Sequence, residues 1–124
     1  VTPPPRNLRL RRDADIRELF RSGRRLSVPP LTVVYRRTAL EHPRYGVQVS
    51  RRTAKRAVTR NRIRRRVREA FRGPLAGWEG GLDLMVLAGA EAATLPWDEL
   101  AARCRRLVEQ ITHRESQRSH PRSA

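Results

Sequence analysis

The chain has 124 residues, of which 28 are basic and 12 acidic, giving a formal charge of +16 and a pI near 11.8. One domain with one modest core is what that length permits. No apolar run approaches the roughly 20 residues that span a bilayer, and one cysteine excludes an internal disulfide.

The remaining class signals are quickly read. The start, Val1-Thr2-Pro3-Pro4-Pro5-Arg6, lacks the apolar core of a signal peptide, so a cytoplasmic location is expected. Cys104, His42, His113 and His120 are too scattered for metal-ligand spacing. All the basic residues except Lys55 are arginine. Guanidinium is planar, permanently charged and weakly hydrated, so it forks onto phosphates and stacks on bases. Charge of this size, and clustered, is the footprint of a nucleic-acid binder. A membrane-surface protein or a partner of an acidic protein is the alternative.

In chain order, residues 1–7 are proline-rich and are expected to be a disordered arm, followed by one domain over residues 8–112. The first helix is predicted from Asp13 to Ser22, with Asp13 as its cap, Gly23 as its stop and Ile16, Leu19 and Phe20 as its apolar stripe. Pro29-Pro30 precedes an extended run, Leu31 to Thr38, whose alternation puts Leu31, Val33 and Tyr35 on one face and Thr32, Val34 and Arg36 on the other. A second strand, Tyr45 to Ser50, places Tyr45, Val47 and Val49 together. The two strands most simply pair as an antiparallel hairpin.

A second helix is predicted from Thr59 to Arg72, stopped by Gly73-Pro74. Ile63, Val67, Ala70 and Phe71 form its narrow apolar stripe, and arginine fills most other positions. Leu82 to Ala88 reads as a strand buried on both faces, in the middle of a sheet. A last helix, Pro96 to Thr112, carries Trp97, Leu100, Ala101, Cys104, Leu107, Val108 and Ile111 as a long apolar stripe. Residues 113–124 are polar and are expected to be a disordered basic tail. Strand, helix and strand from Val47 to Val86 imply a parallel pair with a crossover helix. The residues alone therefore give helix, two strands, helix, strand, helix, in a small α/β sandwich.

Charge is unevenly placed. Arg44 to Arg72 contains twelve basic residues and one acid, Glu69, whereas Gly73 to His113 has three basic and six acidic ones. A solvated helix face normally mixes signs, so the like-charged second helix is costly unless a polyanion neutralises it. Asn61, between Arg60 and Arg62, reads either as a base-reading amide or as a helix N-cap. Phe71 and Trp97 lie on apolar stripes and read as core. By their own surroundings Phe20 and Tyr35 also read as core, although arginines beside them would suit an aromatic platform for unpaired nucleotides.

The segment Arg60-Asn61-Arg62-Ile63-Arg64-Arg65 resembles the motif of the bacterial ribonuclease P protein family. So do Tyr45-Gly46-Val47-Gln48-Val49-Ser50-Arg51-Arg52 before it, the approach Lys55-Arg56-Ala57-Val58, and Val67-Arg68-Glu69-Ala70-Phe71-Arg72 after it. Leu10 through Gly23 and Tyr35 fit as well, so the likeness runs from about Leu8 to Ile111. It implies an α+β sandwich of αβββαβα order, like the second domain of ribosomal protein S5. The arginine motif would lie on a left-handed crossover, where general rules give a right-handed one.

The likeness also implies a function: subunit of an endoribonuclease whose catalysis is carried by RNA, inactive alone, removing the 5′ leader of precursor tRNA. The implied partners are the catalytic ribonuclease P RNA and precursor tRNA, with no membrane and no obligate protein partner. Mg²⁺ would be bound mainly by the RNA. Carried onto this chain, RNA-binding residues would be Arg51, Arg52, Lys55, Arg60, Asn61, Arg62, Arg64, Arg65 and Arg68. Phe20 and Tyr35 would line the leader cleft, which reverses the core reading of both. Ile16 stands where the family commonly has another aromatic, and arginine replaces lysine at several basic positions. The rival readings are a structural ribosomal RNA-binding protein and a DNA-binding regulator that inserts the second helix into a major groove.

Overall fold

Residues 9, 10 and 12–119 are described by the computed structural model. The elements are α1 (Asp13–Ser22), β1 (Arg24–Val28), β2 (Leu31–Thr38), β3 (Pro43–Gln48), α2 (Ala57–Ala76), β4 (Gly81–Ala88), a 3-10 turn (Ala90–Ala93) and α3 (Trp97–Ser119). The strands form one mixed sheet in the order β1-β2-β4-β3.

The expected hairpin of β2 with β3 does not form, because β4 lies between them. It runs antiparallel to β2, from Leu31↔Ala88 to Thr38↔Gly81, and parallel to β3, from Pro43↔Leu82 to Gln48↔Leu87. The physical reason is burial: β4 has almost no polar side chain, so it takes a central place in the sheet, where helices cover both its faces. The parallel β3–α2–β4 crossover is present as expected. The hairpin is instead β1 with β2, turning through Pro29-Pro30 and tied by a 2.9 Å hydroxyl pair, Ser27 to Thr32. Reading the residues alone missed β1. It is an edge strand, largely exposed, with only Leu26 and Val28 turned toward the core, so it has no apolar alternation to detect.

The two faces of the sheet are unequal. Leu31, Val33, Tyr35, Tyr45, Val47, Leu82, Leu84 and Val86 pack against Ile63, Val67 and Phe71 of α2 and against Leu100, Cys104, Leu107 and Ile111 of α3. On the opposite face, a thin cluster of Leu10, Leu19, Val34 and Met85 seats α1, with Ile16, Phe20 and Leu87 at its margin. Arg44 fastens this side. Its guanidinium donates to both oxygens of Asp83, directly across from it on β4, at 2.9 and 2.7 Å, and reaches Asp15 of α1 at 3.3 Å. Asp83 is 1% exposed, and this pairing is what makes a carboxylate tolerable there.

Helix boundaries differ instructively from expectation. α1 has the predicted span, but Arg12 occupies the N-cap position and Asp13 lies inside the first turn. Gly23 ends the helix with ordinary extended backbone. Glycine is required because a Cβ would come within 2.8 Å of the Val34 side chain and collide with the Leu19 carbonyl. α2 starts at Ala57 and continues through Pro74 to Ala76. Proline there removes one hydrogen bond, yet buried Leu75 holds the last turn against the core. α3 extends past Thr112 to Ser119, correcting the expected disorder for residues 113–119, where Glu115 is buried. Residues 120–124 and the arm at 1–7 lie outside the described residues.

Candidate RNA interface

The interface is built on α2. Ile63, Val67, Ala70, Phe71 and Leu75 fill the core side of the helix, so its remaining positions point away from the core. Arg62 and Arg65 are exposed, and neither has a hydrogen bond or ion pair to another described residue. Ahead of the helix, Ser50 folds the connection: its carbonyl accepts from the Thr53 and Ala54 amides, both at 3.1 Å. Buried Ala54 plugs that turn into the core, which leaves Arg51, Arg52, Lys55 and Arg56 exposed.

Two arginines of the helix have work inside the protein, and a third is held half-buried. Arg60 donates to the carbonyls of Ala54 and Lys55 at 3.0 and 2.8 Å, locking the connection onto the first turns of α2. Arg66 donates to the carbonyl of Ala92 at 2.6 Å and to that of Leu95, clamping the 3-10 segment against α2. Arg68 is half-buried. Burial, and then the positive charges of Arg9 and Arg64, push its guanidinium below its usual pKa range. Guanidinium does not lose its proton in proteins, so the effect is an electrostatic stress that a polyanion relieves.

Asn61 is not an N-cap. Arg56 holds that position, and the Asn61 Oδ1 accepts from Arg64 at 2.7 Å on the exposed side of the helix. Its amide NH2 is therefore the group turned outward beside Arg62 and Arg65. The structure thus gathers Arg51, Arg52, Lys55, Asn61, Arg62, Arg64, Arg65 and Arg68 along α2 and its approach. Arg60 is there too, with its guanidinium committed to the loop.

The leader-cleft pair is not brought together. Tyr35 is 0% exposed and lies in the core under α2 and α3, its Oη without a hydrogen-bond partner among the described residues. The alternation of β2 requires this, since Leu31, Val33 and Tyr35 share the face that the two helices cover. A nucleotide cannot reach that ring. Phe20 lies on the other face, partly exposed, with the Arg25 guanidinium 5.9 Å from its ring centre. Around it on that side are Ile16, Leu87 and Arg36, the last tied to Ser22 at 2.8 Å and Glu18 at 3.3 Å.

Trp97 also departs from expectation. It is in phase with the α3 stripe but 47% exposed, facing a groove lined by Arg62, Arg65, Arg66 and Glu69. Cys104 packs as expected, and burial pushes its thiol up to about 12. Among the described residues no group of three or more histidine, cysteine or acidic side chains is placed to hold a metal ion. Asp83 and Asp15 are both engaged by Arg44, so these two carboxylates do not fit an Mg²⁺ site. No helix among the described residues is long and apolar enough to cross a membrane.

Comparison with known proteins bears on the family and the fold. The family model described as Ribonuclease P matches residues 5–112. The ribonuclease P protein component of Nitrosococcus oceani is 43% identical over 83 residues, covering 67% of this chain and 69% of that protein. That of Methylococcus capsulatus is 41% identical over 91 residues, covering 73% and 70%. Among solved structures, the Staphylococcus aureus RNase P protein superposes with a TM-score of 0.71 at 24% identity, covering 85% of this chain and 94% of that one. The Thermotoga maritima RNase P protein in complex with 1-(4-fluorophenyl)-2-thiourea gives 0.72 at 26% identity, covering 82% and 97%.

An α+β domain whose most basic helix turns its arginines outward, with this set of relatives, is an RNA-binding protein of a tRNA-processing ribonucleoprotein. The chain belongs to the ribonuclease P protein family. It is thereby a subunit of an endoribonuclease, associated with the ribonuclease P RNA.

Proposed function

We propose that the chain docks on the catalytic RNA through α2 and residues 51–56 and holds the 5′ leader of precursor tRNA against the α1 side of the sheet. The observation that carries this reading is the row of exposed arginines on α2 and its approach, with no partner for Arg62 or Arg65 among the described residues. Each phosphate neutralised there releases condensed counterions. Five or six such contacts give a log–log salt slope of about −3.5 to −5.

Cleavage belongs to the RNA in this reading, and the protein alone is inactive. Any Mg²⁺ is held mainly by RNA phosphates, a reading supported by the lack of a gathered carboxylate cluster among the described residues. The protein lowers repulsion between two polyanions and fixes the leader in register. Phe20, flanked by Arg25, offers the stacking surface, and Arg36 adds charge on the same side. Tyr35 has no part in that contact. The work is done in the cytoplasm, on precursor tRNA, without an obligate protein partner.

The test compares affinity for leader-bearing and leaderless tRNA with the RNA subunit present. Tighter binding of the leader-bearing form, weakened by Phe20→Ala, is expected. Equal affinity removes the leader surface from the scheme. Cleavage by purified protein without RNA overturns the assignment of catalysis. A stable complex with ribosomal RNA and no effect on tRNA maturation would favour the ribosomal alternative.

A further inference from the structure

The start of α3 presents a large aromatic surface that the leader surface and the arginine row do not account for. Trp97 is the first residue of the helix, and it stands beside α2. The groove between them, about 450 Å³, is lined by Arg62, Arg65, Arg66, Glu69 and Trp97. Its walls are held rigidly. Arg66 ties α2 to the carbonyls of Ala92 and Leu95, and buried Leu100 anchors the first turn of α3. A rigid, half-exposed indole beside Arg62 and Arg65, neither of which has a partner among the described residues, fits a ligand with both a flat apolar face and negative charge.

We propose that Trp97, Arg62 and Arg65 form a stacking site for one unpaired nucleotide of the RNA subunit, separate from the surface around Phe20. It rests on the RNA-docking reading above and deepens it. A duplex hides the faces of its bases, so only an unpaired base can cover the indole. Charge sets the orientation. Asp98 and Glu99 lie in the first turn of α3, with Glu99 3.8 Å from Arg103, and Glu69 is 3.6 Å from Arg72. Phosphate is drawn to Arg62 and Arg65 on α2, where Arg72 engages the nearby Glu69, while the base lies over Trp97. Phe20 and Trp97 are on elements that pack against opposite faces of the sheet, so a single short strand cannot serve both.

The test uses the full chain and a ribonuclease P RNA subunit. Trp97→Ala should weaken binding about 5- to 150-fold, the equivalent of about 1–3 kcal/mol for one stacked base. Trp97→Phe should recover most of the loss. The salt slope should be unchanged in Trp97→Ala, because stacking releases no counterions, whereas Arg62→Ala should reduce its magnitude by about 0.7–0.9. In a Trp78→Phe background, Trp97 emission should be quenched as RNA is added. Wild-type affinity in Trp97→Ala, with unmoved Trp97 emission, overturns this site and leaves RNA docking intact. Failure of the wild-type chain to bind the RNA subunit overturns both. Loss of self-association in Trp97→Ala at unchanged RNA affinity would identify a contact between protein copies and also overturn it.

Discussion

Replacing Arg66 with alanine removes two donors at once, one to the carbonyl of Ala92 at 2.6 Å and one to that of Leu95. Ala92 is fully buried, so its carbonyl loses a partner where water cannot easily replace it. Hydrogen bonds from charged donors contribute about 1.5–3 kcal/mol each, and a half-exposed guanidinium shared between two carbonyls gives less than the sum, so about 2–4 kcal/mol is expected. With a urea m-value of about 2 kcal/mol per molar, the midpoint should fall by roughly 1–2 M. Its neighbour Arg65 is exposed and unpartnered among the described residues, so Arg65→Ala should change stability by no more than about 0.5 kcal/mol. RNA binding should show the reverse. Arg65→Ala reduces the magnitude of the salt slope by about 0.7–0.9, and Arg66→Ala, measured where it is folded, leaves it unchanged. Urea unfolding and RNA titration at several salt concentrations measure both. Equal stability losses in the two variants, or a reduced slope with an unmoved urea midpoint in Arg66→Ala, would refute the division of labour.

Other consequences are as direct. Tyr35→Phe removes a buried hydroxyl that has no partner among the described residues, so thermal unfolding should be unchanged or improved by up to about 1 kcal/mol, with leader discrimination intact; a selective loss of leader affinity would put Tyr35 back at the surface. Asp83→Ala strands the Arg44 guanidinium and should cost about 2–4 kcal/mol in urea unfolding, the lower end reflecting the second partner Asp15. Cys104 is protonated at neutral pH, its thiol pushed up to about 12, so a thiol reagent at pH 8 should label it only as the protein unfolds. The same shift gives a sign for pH dependence. A folded pKa raised above the ordinary 9.0 contributes stability fully below that value and loses it as pH rises toward 12. Cys104→Val should flatten that part of the alkaline decline, and an identical decline in both proteins would count against it.

Local pattern carried most of the elements. Continuous apolarity identified β4 as central, and the spacing of Ile63, Val67, Ala70 and Phe71 identified the buried side of α2. What pattern lacked was information about partners. Nothing in β2 or β3 says that a strand from beyond residue 80 will separate them, so the nearest neighbour in sequence was assigned as the neighbour in space. β1 was invisible for the opposite reason, since an edge strand of arginine and serine buries too little to leave a period. Tyr35 is the sharper case. Its alternation with Leu31 and Val33 placed it on the core face, and only the family likeness moved it to the cleft. Trp97 shows the limit of periodicity: phase gives the direction of a side chain, not whether anything stands opposite. Arg60, Arg65 and Arg66 are the same letter in one run, and only their carbonyl partners distinguish a clamp from a free contact.

The insertion of β4 between β2 and β3 bears on how the chain is made. Residues 1–80 hold 22 basic and 6 acidic residues, the whole net charge of +16, while residues 81–124 hold six of each and are neutral. During synthesis the charged part emerges first, yet β3 has no strand to pair with until Gly81–Ala88 has appeared. Until then α2 has no completed sheet to dock on, and the nascent polypeptide is a polycation able to attract any nearby RNA without selecting among them. This stretch of zero net charge therefore converts general attraction into a shaped surface. Selectivity for one RNA begins when β4 closes the sheet.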